Sequence, residues 1–282
     1  MDMRPLSLGT QTAEAARHSV APAASYAGPV PSRSPWVRVP RPRPAARIRL
    51  ICLPFAGGGA SRYRDWPAYF TDDVEIVAIQ LPGREDRFCE PPIDSAELLA
   101  GQLLEGLSGY LDGPFALFGH SMGALIAFEL TRRLGSMGVE PVHFFASGCR
   151  APHLPNRSPD RHALPDREFV AAIRDLNGVP ADLLENADFL DLILPTLRSD
   201  FKVAETYTPH SRARLLHCPV SVFGGIQDEE VPLDYLESWS RYTTGPFHVH
   251  LLPGDHFFVN SSRASLLRLV ISKIAHQPDP DS

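Results

Sequence analysis

The sequence predicts an α/β fold, with a mostly parallel central sheet, helices on both faces and a helical lid insertion. Two observations carry this. From residue 47 onward, short and nearly continuous apolar runs alternate with helical stretches, and such runs suit parallel strands covered on both faces. The alternation then lapses over residues 153–212, which hold several helical candidates and no strand candidate. An insertion of that kind, at the edge of a sheet where ligands bind, is expected to form a lid; the other reading is ordinary crossover helices.

The elements follow in order. Ile48 to Phe55 (IRLICLPF) is expected to be a strand, stopped by Gly57-Gly58-Gly59. Val74 to Leu81 follows, stopped by Pro82-Gly83, then Phe115 to Gly119, Val142 to Ser147, Val220 to Gly224 and Phe247 to Leu252. Helices are expected at Ser95 to Leu111 and Met122 to Leu134. Within the insertion, Asp166 to Leu176, Ala181 to Leu184 and Ala187 to Ala204 are helical candidates, with Pro195 interrupting or beginning one of them. Phe169, Val170 and Ile173 share one face of the first, and Leu190, Ile193, Leu194 and Leu197 share one face of a later one.

Residues 1–46 form a separate, disordered Pro/Arg-rich extension by this reading. Residues 1–47 contain eight prolines and seven arginines against two acids, Asp2 and Glu14. A segment so poor in apolar periodicity cannot offset its ordering entropy. It contains no apolar core of a secretory signal, and its prolines oppose the amphipathic helix of a transit peptide. The folded domain is expected over 47–277, with the lid at about 153–212 and a flexible tail at 278–282.

Composition excludes several function classes. The chain has 282 residues, 27 basic against 33 acidic, or −6 overall, and no basic stripe in its folded part. Nucleic-acid binding is therefore not expected. No run approaches 18 consecutive apolar residues, so no membrane-spanning helix is expected. Cys52, Cys89, Cys149 and Cys218 stand far apart with no CxxC pair, which speaks against a zinc site or a disulfide framework and for a reducing, cytoplasmic setting. No metal or cofactor is expected.

The nucleophile candidate is Ser121. Gly119-His120-Ser121-Met122-Gly123 fits G-x-S-x-G, preceded by a strand and followed by a helix, the context of a nucleophile elbow. So tight a turn needs Gly119 and Gly123 beside the serine, and it lifts the hydroxyl to a helix N-terminus, where the Met122 amide can stabilise an oxyanion. A serine needs a base, and the base an orienting acid, in the chain order Ser, Asp/Glu, His. Asp228 lies just beyond the strand VSVFGG, with Glu229 and Glu230 as rivals. His256 lies just beyond FHVHLL; Asp255 beside it is read as a loop cap, His120 as packed in the elbow, and His248 and His250 as structural or exposed. The second oxyanion donor is sought in the loop after the first core strand, with Ala56 first and Phe55 next. That Gly-rich loop lacks both GxGxxG and GxxxxGK[ST], so phosphate binding is not read into it.

The chain resembles the stand-alone type II thioesterases of polyketide and nonribosomal peptide biosynthesis, members of the α/β-hydrolases. The resemblance runs from about Arg47 to Ala275. It includes LICLPFAGGGAS (Leu50 to Ser61), Tyr63, Trp66, QLPGRE (Gln80 to Glu85), FGHSMGALIAFELTRRL (Phe118 to Leu134), SGCRAP (Ser147 to Pro152), LPTLRSDF (Leu194 to Phe201), FGGIQDEEV (Phe223 to Val231) and GDHFF (Gly254 to Phe258). It departs at Cys149, where a polar or basic residue is expected, and in the long front extension. The resemblance implies a triad of Ser121, Asp228 and His256, with oxyanion amides from Ala56 and Met122. It implies hydrolysis of aberrant or stalled acyl thioesters on the phosphopantetheine arm of an acyl or peptidyl carrier protein, by a monomer. A general carboxylesterase or lipase, an acyltransferase or macrocyclase, and a non-catalytic carrier-binding protein are the alternatives.

Overall fold

Each apolar run becomes a strand because both of its faces find cover. The computed structural model describes residues 34–157, 160–176, 185–209 and 215–275. A seven-stranded sheet runs in the order β1-β3-β2-β4-β5-β6-β7. Its strands are β1 (Val37–Arg38), β2 (Ile48–Leu53), β3 (Val74–Ile79), β4 (Phe115–His120), β5 (His143–Ser147), β6 (Val220–Gly225) and β7 (Phe247–Leu252). All neighbours pair in parallel except β1, which is antiparallel to β3.

The period of two along the strands divides the core between the two faces. Ile51, Leu53, Leu117, Phe144 and Val222 belong to one cluster, with Leu99 and Leu103 of helix α1 (Ala96–Gly106) and Leu125 and Phe128 of α2 (Met122–Ser136). Leu50, Cys52, Phe118, Phe145 and Phe223 belong to the other, with Leu266, Leu267 and Val270 of a C-terminal helix (Arg263–Ile274). The helix expected to reach Leu111 stops at Gly106, and the chain continues as a short 3₁₀ turn, Ser108–Tyr110.

Two expectations are corrected. Residues 34–46, assigned to a disordered extension, are ordered. Trp36, Val37 and Arg43 are buried, the Trp36 carbonyl accepts from the Gln80 amide at 2.9 Å, and the Arg43 guanidinium donates to the carbonyls of Pro67, Phe70, Thr71 and Val74. Composition concealed this because one tryptophan and one many-fingered arginine do the anchoring rather than a periodic apolar pattern. Pro195 neither begins nor breaks a helix: after α3 (Asp166–Asp175), α4 (Ala187–Thr206) runs straight through it. The local cost of about 3 kcal/mol for an interior proline is opposed by burial of its neighbours. Leu190, Ile193, Leu194 and Leu197 pack with Phe169, Val170 and Ile173 as a small core of the insertion's own. The expected helix Ala181 to Leu184, the first 33 residues and the tail 278–282 lie outside the described residues.

One buried histidine makes stability pH-dependent. His143 Nε2 meets Ser221 Oγ at 2.9 Å. Burial, and then coulombic repulsion from Lys273, His248 and His250, lower its pKa from 6.5 to about 4. The unfolded chain therefore binds this proton more tightly than the folded one. The contribution to stability is complete above pH 6.5 and is lost as pH falls toward 4. Between pH 7 and 4 the wild type should lose on the order of 3 kcal/mol more than His143→Gln, read from urea unfolding. Parallel pH curves for the two proteins would refute this.

Candidate active site

Ser121 occupies the turn between β4 and α2 with φ 52° and ψ −121°, a conformation that costs a non-glycine residue about 1–3 kcal/mol. Neighbouring contacts impose it. The Ser121 amide donates to the Ser147 carbonyl at 2.7 Å, and its carbonyl accepts from Ala124 at 2.9 Å. Gly119 and Gly123 stand where side chains cannot: a Cβ on Gly119 would collide with the Gly123 carbonyl, and one on Gly123 with the carbonyls of Leu53 and Pro54. The turn thus packs against the end of β2, which also delivers the Gly-rich loop.

The ends of β6 and β7 bring two more groups to the serine. His256 Nε2 lies 3.1 Å from Ser121 Oγ, and His256 Nδ1 lies 2.9 Å from Asp228 Oδ2. The other oxygen, Asp228 Oδ1, accepts from the amides of Glu230 at 3.0 Å and Val231 at 3.2 Å. The carboxylate is fully buried, so these bonds replace its hydration. Glu230 turns away to pair with Arg161 at 2.6 Å, and Glu229 is exposed. Asp255 Oδ1 accepts from the Phe257 amide at 2.9 Å as a loop cap. His120 is fully buried beneath the site, its Nδ1 2.9 Å from Ser147 Oγ. Desolvation, followed by repulsion from His256, holds its pKa well below the ordinary value, so it stays neutral. His250 stacks on Phe223, and His248 is exposed.

Ala56 and Met122 face the same chamber as Ser121 and His256, a cavity of about 120 Å³. Its apolar wall includes Leu125 and Phe257 from the body and Ile173, Leu197 and Phe201 from the insertion. The Gly57, Gly58, Ala60 and Ser61 amides are already donated, to Asp200, the Phe55 carbonyl, Gln80 and Glu85 respectively. Among the described residues the Ala56 amide donates to no such group, which leaves it available to a ligand oxygen. The Met122 amide opens a 15-residue helix, whose dipole favours negative charge there.

Away from this site, donor atoms of Asp160, His162 and Glu205 lie within 4.8 Å of one another. The Glu205 carboxylate there accepts from the Arg161 amide, the His162 amide and His162 Nδ1 at 2.6–3.0 Å, so it fastens that loop to α4.

Sequence reasoning missed Asp200 and Arg84, which hold the Gly-rich loop against α4. They are 116 residues apart, and no spacing rule joins them. Their only sequence signal is that each sits in a segment of resemblance, LPTLRSDF and QLPGRE.

Residues 48–276 match the family model described as Thioesterase domain. The chain is 40% identical over 231 residues to the gramicidin S biosynthesis protein GrsT of Aneurinibacillus migulanus, covering 82% of this chain and 90% of that protein. It is 42% identical over 229 residues to thioesterase PikA5 of Streptomyces venezuelae, covering 80% of each. Among solved structures, the type II thioesterase BorB from the borrelidin biosynthetic cluster superposes with a TM-score of 0.78 at 36% identity, over 86% of this chain and 99% of that one.

Proposed function

The chain belongs to the thioesterase domain family, and from that premise we propose that it is an editing enzyme for carrier-bound acyl groups. Its substrate is an aberrant or stalled acyl thioester on the phosphopantetheine arm of an acyl or peptidyl carrier protein of a polyketide or nonribosomal peptide assembly line. The observation that carries this reading is the continuous hydrogen-bonded path from Ser121 through His256 to Asp228 at the floor of an apolar chamber.

Each step follows from the chemistry of those groups. His256 Nε2 takes the Ser121 proton as Oγ attacks the thioester carbonyl. Asp228 holds the ring in the tautomer that leaves Nε2 free and stabilises the imidazolium that forms. The Ala56 and Met122 amides receive the oxyanion. The C–S bond breaks, and the arm leaves as a thiol with the proton that His256 gives up. The neutral His256 then takes a proton from water, which attacks the acyl-serine; the bond from the acyl carbon to Oγ breaks, the proton returns from His256 to Ser121 Oγ, and the carboxylic acid is released. Thioesters are activated acyl donors, so positioning and oxyanion stabilisation matter more here than protonation of the leaving group.

All three reacting side chains come from one chain, so a monomer suffices. No helix among the described residues is long and apolar enough to cross a membrane, which is compatible with work on carrier proteins in the cytoplasm.

The test is intact-protein mass spectrometry on a panel of acylated carrier proteins, run beside oxygen esters of equal chain length. The expected result is loss of the acyl mass from the carrier, return of the free thiol and appearance of the free acid. A preference for the oxygen esters, or an acyl group transferred to a nucleophile other than water, would overturn it.

A further inference from the structure

We infer that Asp200, on the insertion helix α4, is a positioning residue for the oxyanion loop, so that the loop is complete only while this helix is docked. This rests on the acyl-hydrolase reading above, through the need for an oxyanion.

Asp200 is completely buried. Its Oδ2 accepts from the Gly57 amide at 2.7 Å and from Arg84 Nη1 at 2.6 Å, while Oδ1 accepts from Arg84 Nη2 at 2.8 Å. Arg84 Nη1 also donates to the Gly58 carbonyl at 3.1 Å. One carboxylate and its guanidinium partner therefore grip the loop by a donor and an acceptor, immediately after Ala56. The Gly57 amide belongs to the peptide whose carbonyl is that of Ala56. Holding it fixes the plane on one side of Ala56; on the other side the Phe55 carbonyl, which shares its peptide with the Ala56 amide, accepts from the Gly58 amide at 2.8 Å, so the two restraints together set the direction of the Ala56 amide.

The same helix face makes two further contacts. Thr196 Oγ1 donates to the Gly83 carbonyl at 2.7 Å. Leu197 closes over Gly57, whose φ is +74° and where an added Cβ would lie 2.6 Å from Leu197 Cδ2. Residues 196, 197 and 200 share one face by their spacing.

Charge explains why the carboxylate is paired. A bare anion beside the loop would oppose the charge that develops on the substrate oxygen. The bidentate guanidinium cancels it and leaves only the acceptor function toward Gly57. A buried pair of this kind is costly to split, so undocking α4 removes the acceptor and the restraint together. Chamber closure and oxyanion stabilisation then become one event, and hydrolysis is suppressed while the chamber is open to water.

The test compares Asp200→Asn, Asp200→Ala and the double variant Arg84→Met/Asp200→Leu with the wild type. The substrates are an acyl thioester and the p-nitrophenyl ester of the same acyl chain. Binding is measured for a trifluoromethyl ketone, whose Ser121 adduct carries an oxyanion, and for the neutral amide analogue of the substrate. Asp200→Ala should lower kcat by about 10- to 100-fold, somewhat less than direct loss of an oxyanion donor. Ketone affinity should fall by the same factor, and amide affinity should stay within twofold. Asp200→Asn keeps an acceptor for Gly57 and should lose only a few-fold. The double variant removes both charges and keeps the helix packed; it should show the loss of Asp200→Ala even if that single variant folds poorly. Unchanged kcat in the double variant, or equal weakening of ketone and amide, would overturn the inference, since the helix would then only wall the chamber. Wild-type inactivity on thioesters would instead overturn the function proposed above, while the ratios on the aryl ester would still decide this one.

Discussion

Ser121→Ala should lower kcat for thioester hydrolysis by about 10⁶-fold, the order seen when a triad nucleophile is removed, and leave the fold intact. The side chain changes by one oxygen, and alanine keeps the Cβ already accommodated at φ 52°. The hydrogen bonds from the Ser121 amide to Ser147 and from Ala124 to the residue 121 carbonyl involve backbone only, so the turn persists. Steady-state kinetics and a thermal melt of the purified variant check both halves. Turnover within tenfold of wild type would mean that Ser121 is not the nucleophile.

Asp228→Asn should cost about 10⁴-fold, as in a serine-protease triad whose histidine is driven into the wrong tautomer. The structure explains why the new amide has no escape by flipping. The Glu230 and Val231 amides donate to Oδ1, so an asparagine must put its oxygen there and turn its NH₂ toward His256 Nδ1. The imidazole then accepts at Nδ1, carries its proton on Nε2 and cannot take one from Ser121. Glu230→Gln, by contrast, disturbs an ion pair with Arg161 and should stay within a few-fold of wild type. Comparable losses in the two variants would place the acid elsewhere; nitrogen chemical shifts of His256 would report the tautomer directly.

The sequence made the fold legible where physics is local or periodic. Parallel strands are apolar on both faces, so β3, β5 and β6 stand out as runs such as VEIVAI, HFFAS and VSVFGG. The candidate site was legible for a related reason. In such a sheet, reacting groups sit just past strand ends, and Ser121, Asp228 and His256 each follow one closely; the structure brings Ser121 and Asp228 each within hydrogen-bonding distance of His256. What remained illegible depends on contacts between distant residues. Pro195 reads locally as a helix breaker, and only packing of Leu194 and Leu197 onto Phe169 and Ile173 overrides it. The Arg84–Asp200 grip has no local signature at all. Strand β1 is two residues long, too short for any periodic signal.

That short strand decides where the chain can be cut. The family match begins at residue 48, and trimming there would look harmless. It would strip β1 from the flank of β3 and leave backbone donors and acceptors of an apolar strand open to other chains, the situation that invites edge-to-edge aggregation. It would also remove the Trp36 ring, which lies over the Gly106 end of α1 and beneath the Arg87 guanidinium at 4.2 Å, together with the Arg43 side chain that gathers four carbonyls between Pro67 and Val74. A cut at the family boundary would therefore remove fourteen described residues, 34–47, whose side chains and backbone anchor this end of the sheet. A truncation drawn at that boundary would uncover the Ala78–Ile79 end of the sheet margin, which β1 now pairs.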